Sequence, residues 1–381
     1  MARAKSLLSS GLSEPPQKGA VGYLKNLHID WPLFTGLVVL TVLGLVVLYS
    51  ASGENWSTVT RQIVWLCIAF TVMFIAAQIP PYHIEYWTPW VFGFGLFLLV
   101  AVLLFGEMGK GAQRWLDFGL FRFQPSEVMK FAVPMMVAWY VAEKSLPPST
   151  GRIFIALILI LLPVAMIAKQ PDLGTAILVG SAGIFVLLFT GISWYLLGGF
   201  VVILLAAAPV VWFYYMHDYQ RQRVLTFINP ESDPLGSGYH IIQSKIAIGS
   251  GGLYGKGWLN GTQSQLDFLP ERKTDFIFAV LSEEFGLIGV LFLLAIYMYI
   301  VYRGLAIAYQ AQSTFGRLLA GSLVLTFMVY IVVNIGMVSG LLPVVGVPLP
   351  LVSYGGTSLV TLMFAFGLLM SIHTHRKLIT S

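Results

Sequence analysis

Three side chains at the polar edges of apolar runs have the types and spacing for chemistry: Asp275, Glu127 and Lys130. Asp275 sits in Glu271-Arg272-Lys273-Thr274-Asp275-Phe276-Ile277-Phe278, where charged sequence turns apolar. Charged residues are 10% of the chain and apolar ones 57%, so a carboxylate at such a boundary is a functional candidate. Glu127 and Lys130 stand in Gln124-Pro125-Ser126-Glu127-Val128-Met129-Lys130. Pro125 suits a first helical turn, and the i, i+3 spacing puts carboxylate and ammonium on one helix face. Such a pair can hold a proton acceptor beside a cation, or it can be an ordinary interfacial salt bridge worth ~1 kcal/mol or less if exposed.

Other polar tracts are weaker signals. In Lys169-Gln170-Pro171-Asp172-Leu173-Gly174-Thr175 the acid stands where a helix dipole favours negative charge, so capping explains Asp172 and a role in a site stays open. Pro350-Leu351-Val352-Ser353-Tyr354-Gly355-Gly356-Thr357-Ser358 combines turn glycines with hydroxyls, which suit sugar or phosphate contacts or the packing of a turn. Gly249-Ser250-Gly251-Gly252-Leu253-Tyr254-Gly255-Lys256-Gly257 fails as a phosphate loop, because no strand precedes it and Lys256 is followed by glycine. It reads as a flexible turn, or as backbone able to approach a diphosphate. The six histidines show no metal-ligand spacing, and His373 and His375 read as solvated tail residues. Cys67 has no partner for an intrachain disulfide and reads as a small core residue. No basic block with interleaved aromatics points to nucleic acid.

The elements that must position these residues are membrane helices. A mean hydropathy of +0.81 excludes a soluble globule. Apolar runs long enough to span a bilayer, near ~20 residues, predict about ten helices: 33–50, 62–79, 89–106, 128–142, 153–168, 174–190, 194–215, 276–302, 317–338 and 357–372. The fold class is all-α and integral to the membrane, one domain over 31–375 between tails 1–30 and 376–381. Basic residues in both tails, Arg3, Lys5, Lys18, Lys25, Arg376 and Lys377, place the termini inside. The outer side then holds the long joints 106–126, 216–274 and 339–357, so the working face is the outer one. Within the 216–274 joint, between the seventh and eighth spans, His240 to Ile248 has helical spacing and predicts a short helix at the membrane surface. Lys110, Arg114, Arg122 and Lys130 fall on the outer side, against the orientation rule.

Taken together, Gly111-Ala112-Gln113-Arg114-Trp115-Leu116, Gln124-Pro125-Ser126-Glu127, Lys169-Gln170-Pro171-Asp172-Leu173-Gly174-Thr175, Glu271-Arg272-Lys273-Thr274-Asp275-Phe276 and Pro350-Leu351-Val352-Ser353-Tyr354-Gly355-Gly356 resemble the SEDS family of shape, elongation, division and sporulation proteins. The likeness runs from about residue 30 to the end. Asn229 to Gly236 and Tyr239 to Trp258 lean toward its elongation branch rather than its division branch.

The resemblance implies a bacterial inner-membrane peptidoglycan glycosyltransferase acting on lipid II in cell-wall elongation. It implies a class B penicillin-binding protein as partner, beside other elongation-complex membrane proteins. It makes Asp275 essential, with Glu127 and Lys130 close to it, and puts Trp115 in a sensitive tract. Asp275 would take the proton of an incoming hydroxyl, general-base work usually worth ~10²–10⁴-fold. Lys130 or a basic loop residue would meet the diphosphate. Glu127 would hold Lys130, or help bind a divalent cation such as Mg or Mn. Arg114, Trp115, Lys169, Asp172, Lys245, Lys256, Ser353, Tyr354, Gly355, Gly356 and Ser358 complete the expected substrate contacts, and the outer bases gain an anionic head group to meet. Two rivals remain: a lipid II flippase, and a non-catalytic scaffold for a penicillin-binding protein. A transporter places ionic groups near the midplane, whereas here Glu283 and Glu284 are the mid-span charges.

Overall fold

Prolines and short polar side chains set where the helices begin. In the computed structural model, α1 (Trp31–Ala51) is capped by Asp30, whose side chain accepts from Leu33 N, with Pro32 in the first turn. Asn55 caps α2 (Trp56–Gln78) in the same way, and Pro81 opens α3 (Pro81–Phe105). Pro125 opens α4 (Pro125–Ala142). After α5 (Thr150–Lys169), Asp172 caps α6 (Leu173–Phe189). The structure describes residues 27–109, 112–117, 122–193, scattered positions between 195 and 209, 211–216, 218–230, 237–266, 268–269 and 271–375. Residues 1–26, the C-terminal tail 376–381 and most of the seventh expected span, 194–215, lie outside these.

The rest of the chain forms α7 (Asp218–Ile228), α8 (Ser237–Gly251), a single turn at Thr262–Gln265, α9 (Ile277–Tyr309), α10 (Thr314–Val338) and α11 (Thr357–Thr374). Among the described residues seven helices are long and apolar enough to cross a membrane, and α6 is a shorter apolar one. The chain is a multi-pass membrane protein. α10 is enclosed over 67% of its most apolar window and packs against α4, α6 and α9, while α2 runs along α11.

Two local expectations change, and one expected helix is found. The 106–126 joint is a small antiparallel sheet, β1 (Glu107–Gly109), β2 (Ala112–Asp117) and β3 (Arg122–Phe123), in the order β1-β2-β3, with Glu107 opposite Trp115 and Leu116 opposite Phe123. The helix expected at 240–248 exists as α8, and it packs on α9. Its Ser244 and Ala247 are buried, and Ser244 Oγ donates to Val338 O at 2.7 Å. Cys67 is exposed on α2 rather than in the core.

α9 breaks at Gly286, where φ is 61° and ψ −161°, a conformation that suits glycine. The break frees backbone groups that need partners in a membrane. The Gly251–Gly257 tract supplies them: Lys256 N and Gly257 N donate to Glu283 O and Glu284 O, both at 3.0 Å, and Leu287 N and Ile288 N donate to Gly252 O and Leu253 O. The glycine run is therefore a backbone splint for a broken helix. Its glycines are needed because a Cβ at Gly255 would strike the Glu284 carbonyl.

A candidate active site at one end of the bundle

Asp275 precedes α9, and the strap 339–356 holds its tract in place. Asn334 of α10 donates from Nδ2 to Asp275 O at 2.9 Å and to Val347 O at 2.7 Å, tying the aspartate's main chain to the strap. Ser353, buried, donates to Thr274 O at 2.6 Å and accepts from Leu349 N at 2.8 Å, and Tyr354 N donates to Lys273 O. The half-buried Asp275 side chain points at the strap's thinnest place: a Cβ built on Gly346, φ 75°, would lie 3.6 Å from Asp275 Oδ2. Gly346 itself is exposed.

The second part of the site stands in the first turns of α4. Glu127 is 4% exposed. Its Oε1 accepts from Lys130 Nζ at 2.6 Å and its Oε2 from Thr361 Oγ1 at 2.8 Å. Lys130 Nζ also lies 5.3 Å from the centre of the Tyr330 ring, within cation–π range. Tyr330 and Asn334 are one turn apart on α10, about 6 Å along its axis. α10 thus carries both anchors, one for the ion pair and one for the aspartate. A salt bridge this enclosed costs desolvation, so breaking it by removing one partner is expensive.

The remaining expected residues divide into groups. Asp172, 6% exposed, caps Thr175 N, accepts from Gln124 Nε2 at 2.8 Å, and lies 3.8 Å from Arg114. Arg114 on β2 donates to the Gln170 and Pro171 carbonyls, with Trp115 half-buried next to it. Lys169 is exposed at the end of α5, and Lys245 is exposed over Gly340. Gly355 N donates to Gln62 Oε1, Gly356 fits against the Trp65 ring, and Ser358 O accepts from Thr361. Lys256 stands apart from all of these: its Nζ donates to Glu283 Oε1 and Thr262 Oγ1, both at 2.7 Å.

Tyr330, Asn334, Thr361 and Gln62 were not legible as site residues. Asn334 and Tyr330 lie in an apolar run, where a lone amide four residues past a tyrosine is the sole hint. At the opposite end, Asp30 accepts from Arg303 Nε at 3.0 Å and Nη2 at 2.6 Å, with His373 Nδ1 at 2.9 Å. His375 stacks on His28, ring centres 3.8 Å apart. These histidines are structural, not solvated. Burial alone would raise the Asp30 carboxyl, but hydrogen bonds from His373, Arg303 and the Leu33 amide hold it well below the usual range.

Residues 28–378 match the cell cycle protein family that groups FtsW, RodA and SpoVE. The chain is 57% identical to the peptidoglycan glycosyltransferase MrdB of Escherichia coli K12, over 93% of this chain and 96% of that protein. It is 39% identical to a probable peptidoglycan glycosyltransferase FtsW of Geobacter metallireducens, over 89% and 93%. Among solved structures it resembles a chain from work on polymerization and crosslinking by a peptidoglycan synthase complex, with TM-score 0.79, 32% identity and coverage of 90% and 97%. It also resembles the rod shape determining protein RodA of Thermus thermophilus, with TM-score 0.69, 26% identity and coverage of 91% and 98%. With a family match over nearly its whole length and a helical bundle shared with those structures, the chain belongs to the SEDS family of FtsW, RodA and SpoVE proteins.

Proposed function

We propose that this peptidoglycan glycosyltransferase polymerises lipid II, a disaccharide-pentapeptide on undecaprenyl diphosphate, into β-1,4 glycan with Asp275 as general base. The enzyme class rests on the 57% identity to MrdB over most of both chains. The assignment of Asp275 rests on one observation: its main chain is clamped by Asn334 and the strap while its carboxylate faces an exposed glycine. A base needs that combination of a fixed position and an open approach.

The reaction is a single displacement. The acceptor's 4-oxygen bonds to the donor's C1, its proton passes to Asp275, and the C1–O bond breaks. Undecaprenyl diphosphate leaves with the electron pair. One displacement inverts C1, giving a β link from an α-linked donor. Lys130 stands against Tyr330, one turn of α10 from the Asp275 anchor Asn334, and it would meet the departing diphosphate, where a preset cation stabilises developing charge. Glu127 and Thr361 keep Lys130 aimed. Divalent cations prefer several oxygen ligands. Both Glu127 oxygens are engaged, and among the described residues no group of three His, Cys, Asp or Glu stands together. That both oxygens are engaged, by Lys130 and Thr361, supports holding the ion pair as the role of Glu127.

Likeness to the elongation-branch relatives supports a role in cell-wall elongation at the bacterial inner membrane, with both termini cytoplasmic. Likeness to a synthase-complex chain supports a class B penicillin-binding protein as partner. Against transport, the mid-span acid Glu283 is fully buried and held by Lys256, Thr262 and Gln263 of the 252–265 loop. Purified protein given labelled lipid II in detergent should make glycan polymer, and the Asp275→Asn protein should make none while remaining folded. Near-normal polymer from that variant would sink the assignment.

A further inference from the structure

Every fourth residue along one stripe of α10 is polar and buried: Ser322, Thr326, Tyr330 and Asn334. That spacing keeps the four on one face of the helix. Inside a membrane a buried donor needs an acceptor. Ser322 Oγ donates to Ala182 O at 2.6 Å, Thr326 Oγ1 to Ser322 O at 2.8 Å, and Asn334 Nδ2 to Asp275 O and Val347 O. The Tyr330 hydroxyl differs. Its side chain is 1% exposed, and it completes no hydrogen bond with any described group. Lys130 acts on it electrostatically but cannot take its proton's hydrogen bond, because an ammonium has donors and no acceptor.

The space beside the hydroxyl fits one small acceptor. A cavity of about 30 Å³ lies between α4, α10 and α11, lined by Lys130, Thr326, Tyr330 and Thr361 among apolar side chains such as Phe131 and Leu362. An internal water needs ~10–15 Å³ and two to four polar partners. The polar side chains on this wall divide evenly. Lys130 Nζ and Tyr330 Oη have protons to give. Thr326 Oγ1 and Thr361 Oγ1 already donate theirs, to Ser322 O and Glu127 Oε2, and keep lone pairs that accept. Two donors and two acceptors around one small space are the complement of a water molecule. Resting on Lys130 as the cation that meets the departing diphosphate, we propose that this cavity seats one water. The water accepts from Lys130 and Tyr330 and donates to Thr326, so Tyr330 and Thr326 are positioning residues for Lys130. Glu127 Oε1 takes one proton of the ammonium and the water a second, which leaves the third for the diphosphate.

The test sets activity against stability. Thr326→Val keeps the branched shape and removes the lone pairs, whereas Thr326→Ser keeps the hydroxyl and removes a methyl. Tyr330→Phe keeps the ring beside Lys130 and removes the hydroxyl. Each purified protein is given labelled lipid II in detergent and melted in the same detergent. Thr326→Val and Tyr330→Phe should each lower kcat about fivefold or more, with KM for lipid II moved less than about twofold. Thr326→Ser should keep kcat near wild type although it melts earlier, having lost a buried methyl. A high-resolution structure of the wild type should show one ordered water in the cavity, and a dry cavity overturns the proposal. So does a raised melting temperature in Tyr330→Phe, because removing a hydroxyl that has no partner relieves an unmet buried group. So does a kcat in Thr326→Ser as low as in Thr326→Val, which makes packing the cause. Lys130→Met keeps the two assignments distinct. If it polymerises normally, the role of Lys130 fails and that of the water with it. If it is slow while Thr326→Val and Tyr330→Phe turn over like wild type, Lys130 keeps its role and the water-held alignment falls.

Discussion

Two carboxylates, Asp275 just before α9 and Glu283 in its second turn, have opposite fates. Glu283 is fully buried and meets Lys256 Nζ, Thr262 Oγ1 and Gln263 N. Asp275 is half-buried, fixed through its backbone, and faces an exposed glycine. Both stand near basic residues in a chain poor in charge. The contrast teaches that full enclosure marks a carboxylate that holds structure, whereas a half-buried side chain on a clamped backbone, facing an exposed glycine, marks a candidate for the reaction.

The largest effect that would break this contrast concerns Asp275. Asp275→Asn should lower polymerisation of lipid II by about 10²-fold or more with an unchanged melting temperature, since the base is lost and the clamp is not. If Asp275→Asn instead melts early and polymerises normally once stabilised, the two carboxylates have been assigned the wrong way round. The converse holds for Lys256→Ala, which leaves Glu283 buried and unpaired. It should cost about 3 kcal/mol of stability, read as a lower melting temperature in detergent. Adding Glu283→Gln should recover most of the loss, and a double variant as unstable as the single would deny that the pair is the cause.

Gly346→Ala sharpens the comparison at the open side. It forces a side chain into a positive-φ position, at about 1–2 kcal/mol, and sets a methyl 3.6 Å from Asp275 Oδ2. Activity should fall several-fold more than stability predicts, and equal losses would mean the approach to Asp275 lies elsewhere.

The smallest effect lies at the far end. Burial, and then the neighbouring His375, lowers the His28 pKa from 6.5. A histidine with a lowered folded pKa binds fewer protons folded than unfolded. Its contribution is whole above the unfolded value and is lost as pH falls through the folded one. Melting temperature should decline as pH drops below 6.5, and His28→Phe should flatten that slope. An identical slope in the variant would remove the stack from the account.

Much of the site was legible because its signals are local. The i, i+3 spacing of Glu127 and Lys130 fixes a shared helix face within one turn, and Pro125 marks where that turn begins. Asp172 read correctly as a cap for the same reason. The glycine run was misjudged because its partners, the carbonyls of Glu283 and Glu284, exist only where α9 breaks. The sheet at 107–123 was hidden because its strands are two to six residues long, too short for alternation to stand out. Asn334 and Tyr330 were invisible because hydropathy counts them as interruptions in a span, not as anchors.

Composition and order along the chain settled the membrane character, the helix starts and the identity of the charged residues, since these depend on neighbours within a turn or two. What the fold alone decided is which charge meets which. Lys256 reaches Glu283 across 27 positions, Asn334 reaches Asp275 across 59, and Thr361 reaches Glu127 across 234. In a low-dielectric bundle every buried charge must find a partner, and only the three-dimensional packing determines whether that partner is the protein or is left to be the substrate.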